Sequence, residues 1–118
     1  MPVQLLAEEV LGSTISLRVI PVGEDMVAII SGGQVPHVGA IAIAEPCAIF
    51  SRETATMSSI CLKGHKDDHA ARLAADTLAK KFRCPVAVSG GIHYDNLDKD
   101  GIRQVLSAVA RLCESVQQ

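Results

Sequence analysis

Alternation of apolar and polar residues predicts β-strands in the first third of the chain. Residues 14–20 alternate polar and apolar side chains, which is typical of a strand with one buried face. The residues expected to point inward are Ile15, Leu17 and Val19. Residues 26–30 are almost all apolar, so we expect a central strand that is covered on both faces.

The same pattern, in a less regular form, predicts three further strands, at residues 40–44, 56–62 and 85–89. Residues 3–10 fit either an opening strand or a short helix, and we favour the strand. Small and branched side chains alternate over residues 40–44, so we expect a helix or a second subunit to approach one face of that strand closely. Glu45-Pro46 is expected to end the strand, and residues 48–55 are expected to form a polar connection.

Two stretches in the second half of the chain have the spacing of amphipathic helices. The first is expected to follow Lys63-Gly64-His65 and to end near Arg83, because Pro85 cannot continue a helix. The second is expected to follow Asp98, whose side chain can accept a hydrogen bond from the N–H of Gly101. Its apolar stripe is unbroken and comprises Ile102, Val105, Leu106, Val109, Leu112, Cys113 and Val116.

The order of these elements predicts an α+β fold, because a run of strands comes first and the helices come late. We expect an antiparallel-dominated sheet of about five or six strands with two helices packed on one face. A chain of 118 residues fits one domain, residues 1–118, and is small enough to favour a partner subunit. Together with the shallow strand face at Ala40, Ala42 and Ala44, this predicts a homodimer.

Charge and composition limit the kinds of molecule that the protein is expected to bind. The formal net charge is −2, so the chain lacks the basic surface with which proteins bind nucleic acid. No apolar run is as long as a membrane span, and no signal pattern begins the chain, so we expect a cytoplasmic protein with no membrane partner. The four cysteines include no Cys-x-x-Cys pair, and we expect them to be buried as small hydrophobic side chains.

Two glycine-rich segments carry the candidate chemistry, and they share one pattern. Ser31-Gly32-Gly33 follows a predicted strand and precedes His37, while Ser89-Gly90-Gly91 follows another and precedes His93. Adjacent glycines allow backbones to approach closely, and loops at strand ends often carry function. We therefore expect the two loops to share one site, where backbone N–H groups could hold a phosphate.

Polar residues beside the second histidine extend this candidate site. Asp95 could orient the ring of His93, as carboxylates do in many histidine sites. Asn96 either belongs to the site or serves only as a turn residue. The alternative for His37 and His93 is that both are turn histidines bonded to nearby backbone.

A further pair of histidines, His65 and His69, would share one face of a helix, a spacing that some zinc sites use. No third ligand is evident in the sequence, so we predict no metal site, although His65 and Lys66 could rim a pocket. The sequence contains neither a phosphate-binding P-loop nor a nucleophile elbow, which weakens the case for catalysis.

Four segments taken together resemble a known small family. They are residues 31–40, 42–46, 64–68 and 91–96, and the likeness extends from about Leu17 to the last helix. Over this range the chain is similar to the D subunit of gallate-type hydroxyarylic acid decarboxylases, a prenylated-flavin chaperone. That family is related in fold to small proteasome-assembly chaperones, which implies an α+β sandwich that tends to dimerise.

The resemblance implies a non-catalytic accessory protein that helps to deliver or mature prenylated flavin mononucleotide in a partner hydroxyarylic acid decarboxylase. It implies that the cofactor, prenylated FMN or FMN itself, binds only transiently. The residues that match the family's motifs, and that we expect to bind the cofactor, are Gly32, Gly33, His37, His65, Lys66, Gly90, Gly91, His93, Asp95 and Asn96.

Two rival hypotheses come from other functional classes. One is a small hydrolase or lyase that uses His37 and His93 as acid and base. The other is a pure protein assembly chaperone that binds no small molecule. Binding of a flavin separates the prenylated-flavin chaperone from the second rival.

Overall fold

Six strands and two helices make up the part of the chain that the computed structural model describes, residues 1–49, 52–64 and 68–118. The strands are β1 (Gln4–Val10), β2 (Ser13–Val22), β3 (Asp25–Gly33), β4 (Ala40–Ile49), β5 (Arg52–Cys61) and β6 (Val86–His93). The helices are α1 (Asp68–Phe82) and α2 (Lys99–Glu114). The strands form one sheet in the order β1-β2-β3-β6-β4-β5.

The last strand of the chain is inserted into the middle of this sheet. β6 pairs in parallel with β3 on one side and antiparallel with β4 on the other. The remaining neighbours, β1–β2, β2–β3 and β4–β5, are antiparallel. This topology confirms the predicted α+β class with an antiparallel-dominated sheet.

Both helices lie on one face of the sheet, where alternate residues of each strand enter the core. α1 packs across β4, β5 and β6, while α2 packs across β1 and β2. The three inward residues predicted on β2 are fully buried: Ile15, Leu17 and Val19. Ala40, Ala42 and Ala44 are also buried, and their small side chains admit α1. Of the two neighbours predicted for that strand face, a helix or a second subunit, the helix is therefore the correct one.

The other face of the sheet, which we call the open face, carries large apolar side chains that no other described part of the chain covers. Val27 and Ile29 of β3 are exposed, as are Ile41 and Ile43 of β4 at 51% each. The prediction that residues 26–30 are covered on both faces is therefore wrong. An apolar strand with one exposed face and a doubly buried strand have the same composition, so the sequence did not distinguish them.

The hairpin formed by β4 and β5 is longer than the sequence predicts. Glu45-Pro46 does not end β4, and most of the expected connection at residues 48–55 is strand, with Ala48 opposite Glu53. β6 pairs with β4 only over residues 40–44. From Glu45 onward β4 therefore has a partner on one side alone, and Pro46 is tolerated there because edge positions need no second ladder hydrogen bond.

The helices confirm the predicted start of α2 but not the full length of its buried stripe. The carboxylate of Asp98 accepts a 2.7 Å hydrogen bond from the N–H of Gly101, as an N-cap does. Val105, Val109, Leu112 and Cys113 are buried on this helix, whereas Ile102 is 46% exposed and Leu106 is half-buried. The stripe therefore packs fully on the core only beyond its first turns. Among the described residues, no helix is long and apolar enough to span a membrane.

Burial divides the four cysteines into two groups. Cys84 and Cys113 are buried, as predicted, but Cys61 at the end of β5 is exposed and Cys47 is half-buried. The prediction of four buried thiols is thus wrong for the two in the β4–β5 hairpin, which lies at the edge of the sheet. Burial raises the pKa of the Cys113 thiol to about 12, and Glu114 adds to the shift.

We expect the free energy of unfolding to fall as the pH rises above the ordinary thiol pKa of 9.0, because Cys113 stays protonated in the folded protein and ionises when it unfolds. This contribution is fully present below pH 9.0 and is lost between pH 9.0 and about 12. Urea unfolding of the wild type and of Cys113→Ala across that range measures it. The wild type should show the steeper decline, and equal slopes would contradict the assignment.

Candidate functional site

The two Ser-Gly-Gly segments lie side by side at one end of the sheet. β3 and β6 are parallel neighbours, so their C-terminal ends meet, with Ser31 opposite Gly91 and Gly33 opposite His93. Both segments lie within strands, at or near the C-terminal ends of β3 and β6, which corrects the expectation that they form loops. The parallel pairing of β3 and β6 nevertheless brings the two segments together, as the sequence predicts.

The glycines here are required by close approach of neighbouring backbones. A Cβ atom at Gly32 would collide with the Thr14 carbonyl, and one at Gly33 with the His93 carbonyl. Both residues also have positive φ, at 153° and 76°. A Cβ atom at Gly91 would overlap the carbonyl of His37. These contacts account for three of the four glycines by packing alone.

Backbone N–H groups around these segments are already engaged within the protein. The N–H of Gln34 donates to the carbonyl of His93 at 2.7 Å, and the N–H of Gly39 donates to Gly90 at 2.9 Å. The N–H of Asp95 donates to the side-chain oxygen of Gln34, also at 2.7 Å. These three donors therefore tie the segments together and are not themselves free to bind a phosphate.

The two candidate histidines lie on the same side of the sheet. The carbonyl of His37 covers Gly91 on the open face, and His93 lies two residues beyond Gly91, so it leaves the strand on that same face. Nδ1 of His37 is 2.9 Å from the carbonyl oxygen of Val35. The segments that carry both histidines are thus brought together, with each imidazole contacting a nearby residue of its own loop.

Asp95 contacts His93 as the sequence suggested. Oδ1 of Asp95 lies 2.9 Å from Nε2 of His93, and both side chains are exposed, so the contact orients the ring at the protein surface. Asn96 has a φ of 55°, the left-handed conformation that asparagine adopts readily in turns. The backbone conformation of Asn96 therefore fits the alternative in which it serves only as a turn residue.

The remaining predicted site residues, His65 and Lys66, lie outside the described residues. His69, four positions after His65, is exposed near the start of α1. Within residues 1–49, 52–64 and 68–118, no group of three potential ligands could hold a metal ion.

A cavity that the sequence analysis missed lies on the helix side of the same region. Its volume is about 620 Å³, within the usual range for small-molecule sites, and its walls are largely apolar. We call it the interhelix pocket; its lining residues are His69, Ala70, Tyr94, Leu97, Ile102, Val105 and Leu106. Ile102 and Leu106, at the start of the α2 stripe, are available to line it because the core does not fully cover them.

The floor of this pocket is fixed by a buried tyrosine. The hydroxyl of Tyr94 donates to the carbonyl of Val10 at 2.6 Å, and burial, aided by Glu9, raises the pKa of this phenol. The ring therefore stays neutral and anchored between β6 and β1 at physiological pH. Asp95 and Asn96 stand between Tyr94 and Leu97 in sequence, so the predicted polar residues and the pocket share one connection.

Comparison with known proteins identifies the family and the fold. No curated protein matches the chain. Among solved structures, the chain is similar to one from the crystal structure of a novel chaperone complex for yeast 20S proteasome assembly. The TM-score is 0.57 at 16% sequence identity, with 97% of this chain and 94% of that chain covered. At such low identity the likeness shows the fold alone.

A family model gives a more specific result and confirms the resemblance found in the sequence. The model of the prenylated flavin chaperone LpdD-like domain matches residues 9–118, nearly the whole chain. The chain therefore belongs to the family of LpdD-like prenylated flavin chaperone domains.

Proposed function

We propose that the protein is a non-catalytic accessory chaperone that delivers prenylated FMN to a partner hydroxyarylic acid decarboxylase of the gallate type, or helps to mature the cofactor there. It acts in the cytoplasm as a homodimer of one domain, residues 1–118. Membership of the prenylated flavin chaperone family supports the cargo, and the interhelix pocket is the observation that carries the proposal at the level of this chain.

The pocket suits the apolar part of such a cargo. Its walls are mostly aliphatic, from Leu97, Ile102 and Leu106, and Tyr94 supplies one aromatic ring. The chain has only one Tyr, two Phe and no Trp, so it offers few of the aromatic surfaces that hold a flavin tightly. A carrier must release its cargo, and a micromolar dissociation constant, about −8 kcal/mol, is sufficient.

The residues that match the family's motifs bind the polar part of the cargo. His37, His93, Asp95 and Asn96 lie around the end of β6, and His65 and Lys66 precede His69 of the pocket in sequence. Gly33 and Gly91 contribute by letting their backbones approach those of His93 and His37. Gly32 and Gly90 contribute by leaving room for Thr14 of β2 and Ala71 of α1. His93 is exposed and His37 is only half-buried, so their replacement by alanine should change stability by no more than about 1 kcal/mol.

Fluorescence titration with FMN and with enzymatically prepared prenylated FMN tests the cargo. The wild type should bind prenylated FMN with micromolar affinity, and Ile102→Arg should weaken binding at least ~10-fold because it places a charge in the apolar pocket. Gln104→Arg is the matched control, since it adds the same charge at an exposed position of α2 that does not line the pocket. Absence of binding by the wild type would favour the assembly chaperone that carries no small molecule.

Reconstitution of a partner decarboxylase tests the role of the histidines. His37→Ala and His93→Ala should remain folded yet fail to support decarboxylase activity, whereas wild-type protein supports it. Full activity with the double variant would show that both are turn histidines bonded to nearby backbone, as His37 is close to Val35.

A further inference from the structure

The two edge strands of the sheet, β1 and β5, differ in how well they are protected from pairing with another chain. β1 carries Glu8 and Glu9, and charged side chains on an edge strand discourage such pairing. Its start is also tied to the C-terminal tail, because Oε1 of Gln4 accepts a 2.9 Å hydrogen bond from the N–H of Gln117. In contrast, residues 54–61, which are all of β5 except its first two residues, include no charged residue, proline or glycine. The edge of β5 is therefore the one that is open to another strand.

The strand register shows which backbone groups of β5 point away from the sheet. The N–H of Leu62 donates to the carbonyl of Gly39 at 2.8 Å, and antiparallel strands exchange hydrogen bonds at every second pair of residues. Counting back from this bond, Ser58 and Ile60 direct their N–H and C=O groups toward β4. The intervening residues, which we call the edge residues, direct theirs outward: Ala55, Met57 and Ser59. No described residue bonds to these outward backbone groups.

Pro46 provides an independent check of this assignment. It lies opposite Ala55, and a proline has no N–H with which to exchange hydrogen bonds across the pair. Pro46 is accommodated if the backbone groups of this pair point away from each other, as they do at alternate positions of an antiparallel ladder. The N–H and C=O of Ala55 then lie on the outer side of β5, in agreement with the register.

The two sides of this edge differ in chemistry. On the helix side, Nη1 of Arg72 of α1 donates to the hydroxyl of Ser59 at 2.9 Å, which holds an exposed guanidinium beside the edge. On the open face, Ile60 is 74% exposed and lies opposite Ile41, which is also exposed. Because side chains of a strand alternate between its faces, an added strand would place one row beside the cation and the other beside these isoleucines.

From these unpaired backbone groups and this charge, we propose that the edge of β5 binds an extended acidic segment of a partner protein by β-strand addition. Main-chain hydrogen bonds to the edge residues hold the segment, and one of its carboxylates pairs with Arg72. Apolar side chains on its other face pack beside Ile60. None of these residues lines the interhelix pocket, so the inference holds whether or not the protein carries a flavin.

Hydrogen exchange followed by NMR tests whether the edge is free. In the protein alone, the amides of the edge residues should exchange at least ~10-fold faster than those of Ser58 and Ile60, which bond to β4. The alternation along one strand is its own control, because all these residues share the same local structure. Slow exchange of the edge residues would mean that another part of the chain or a second copy already covers them, which would overturn the proposal.

A synthetic peptide in which valine and glutamate alternate is the probe for the partner. It should bind with a dissociation constant below ~1 mM, shift the amide resonances of the edge residues and slow their exchange at least ~10-fold. The same peptide with lysine in place of glutamate should bind at least ~10-fold more weakly, because its cations would lie beside Arg72. Absence of binding, or resonance shifts confined to β1 or to the interhelix pocket, would contradict strand addition at β5.

Reversing one charge tests the recognition of acidic segments. Arg72→Glu should reverse the preference, so that the lysine peptide binds more tightly than the glutamate peptide. Lys99→Glu is the matched control, since it makes the same change of charge at an exposed residue of α2, which packs across β1 and β2. It should leave the preference for glutamate intact. Equal effects of the two variants would show that only net charge matters and would overturn the role of Arg72.

Discussion

Replacing Gly91 with alanine is expected to destabilise the fold by ~3 kcal/mol or more. The added Cβ would overlap the backbone carbonyl of His37, and backbone cannot move aside as a flexible side chain can. The connection between β3 and β4 would have to shift, which would strain the 2.9 Å hydrogen bond from the N–H of Gly39 to Gly90. Urea unfolding followed by circular dichroism measures the loss.

Gly90→Ala is the matched control for this change. The residue is the neighbouring glycine on the same strand, but its Cβ would point to the helix side and lie 3.0 Å from the Cβ of Ala71. That contact is tight yet can relax by a small movement of α1, so we expect a loss of about 1 kcal/mol. Equal losses for the two variants would show that the connection carrying His37 is free to move away from β6.

Replacing Leu78 with alanine is expected to cost ~2–5 kcal/mol. Leu78 of α1 is fully buried in the core formed by the helices and the sheet, so the truncation removes apolar contacts and leaves a cavity. The size of the loss depends on how far the surrounding side chains can collapse into that space. Thermal and urea unfolding at one protein concentration measure it.

Ile102→Ala serves as the comparison on α2. Ile102 is 46% exposed at the mouth of the interhelix pocket, so its truncation should cost no more than about 1 kcal/mol. A loss equal to that of Leu78→Ala would mean that the apolar stripe of α2 is packed along its whole length, as the sequence alone predicts. It would also mean that the interhelix pocket is closed in solution.

Local patterns were sufficient to predict the elements whose faces differ in polarity. β2 alternates polar and apolar residues, and its three inward residues are those predicted, Ile15, Leu17 and Val19. The N-cap at Asp98 followed from the chemistry of one side chain and an N–H three residues away. β4 and β5 were less predictable, because the effect of Pro46 depends on whether a neighbouring strand needs its missing N–H.

The candidate site was predicted in part. The repeated Ser-Gly-Gly pattern correctly indicated that two segments meet, since Gly33 and His93 are opposite each other. The reason for the glycines was not available from the sequence, because a collision with the carbonyl of Thr14 or His37 depends on residues far away in the chain. The interhelix pocket was missed for the same reason: its walls come from α1, from α2 and from the connection after β6.

By itself, the sequence determined the kind of most elements, the inward residues of β2 and the family to which the chain belongs, because these depend on local spacing and on motifs. Only the tertiary structure decided that β6 enters the sheet between β3 and β4, since strand order is set by hydrogen bonds between distant segments. It also decided that Val27 and Ile29 are exposed. Whether an apolar side chain is buried depends on what packs against it, and the residue types along one strand do not specify which face another element covers.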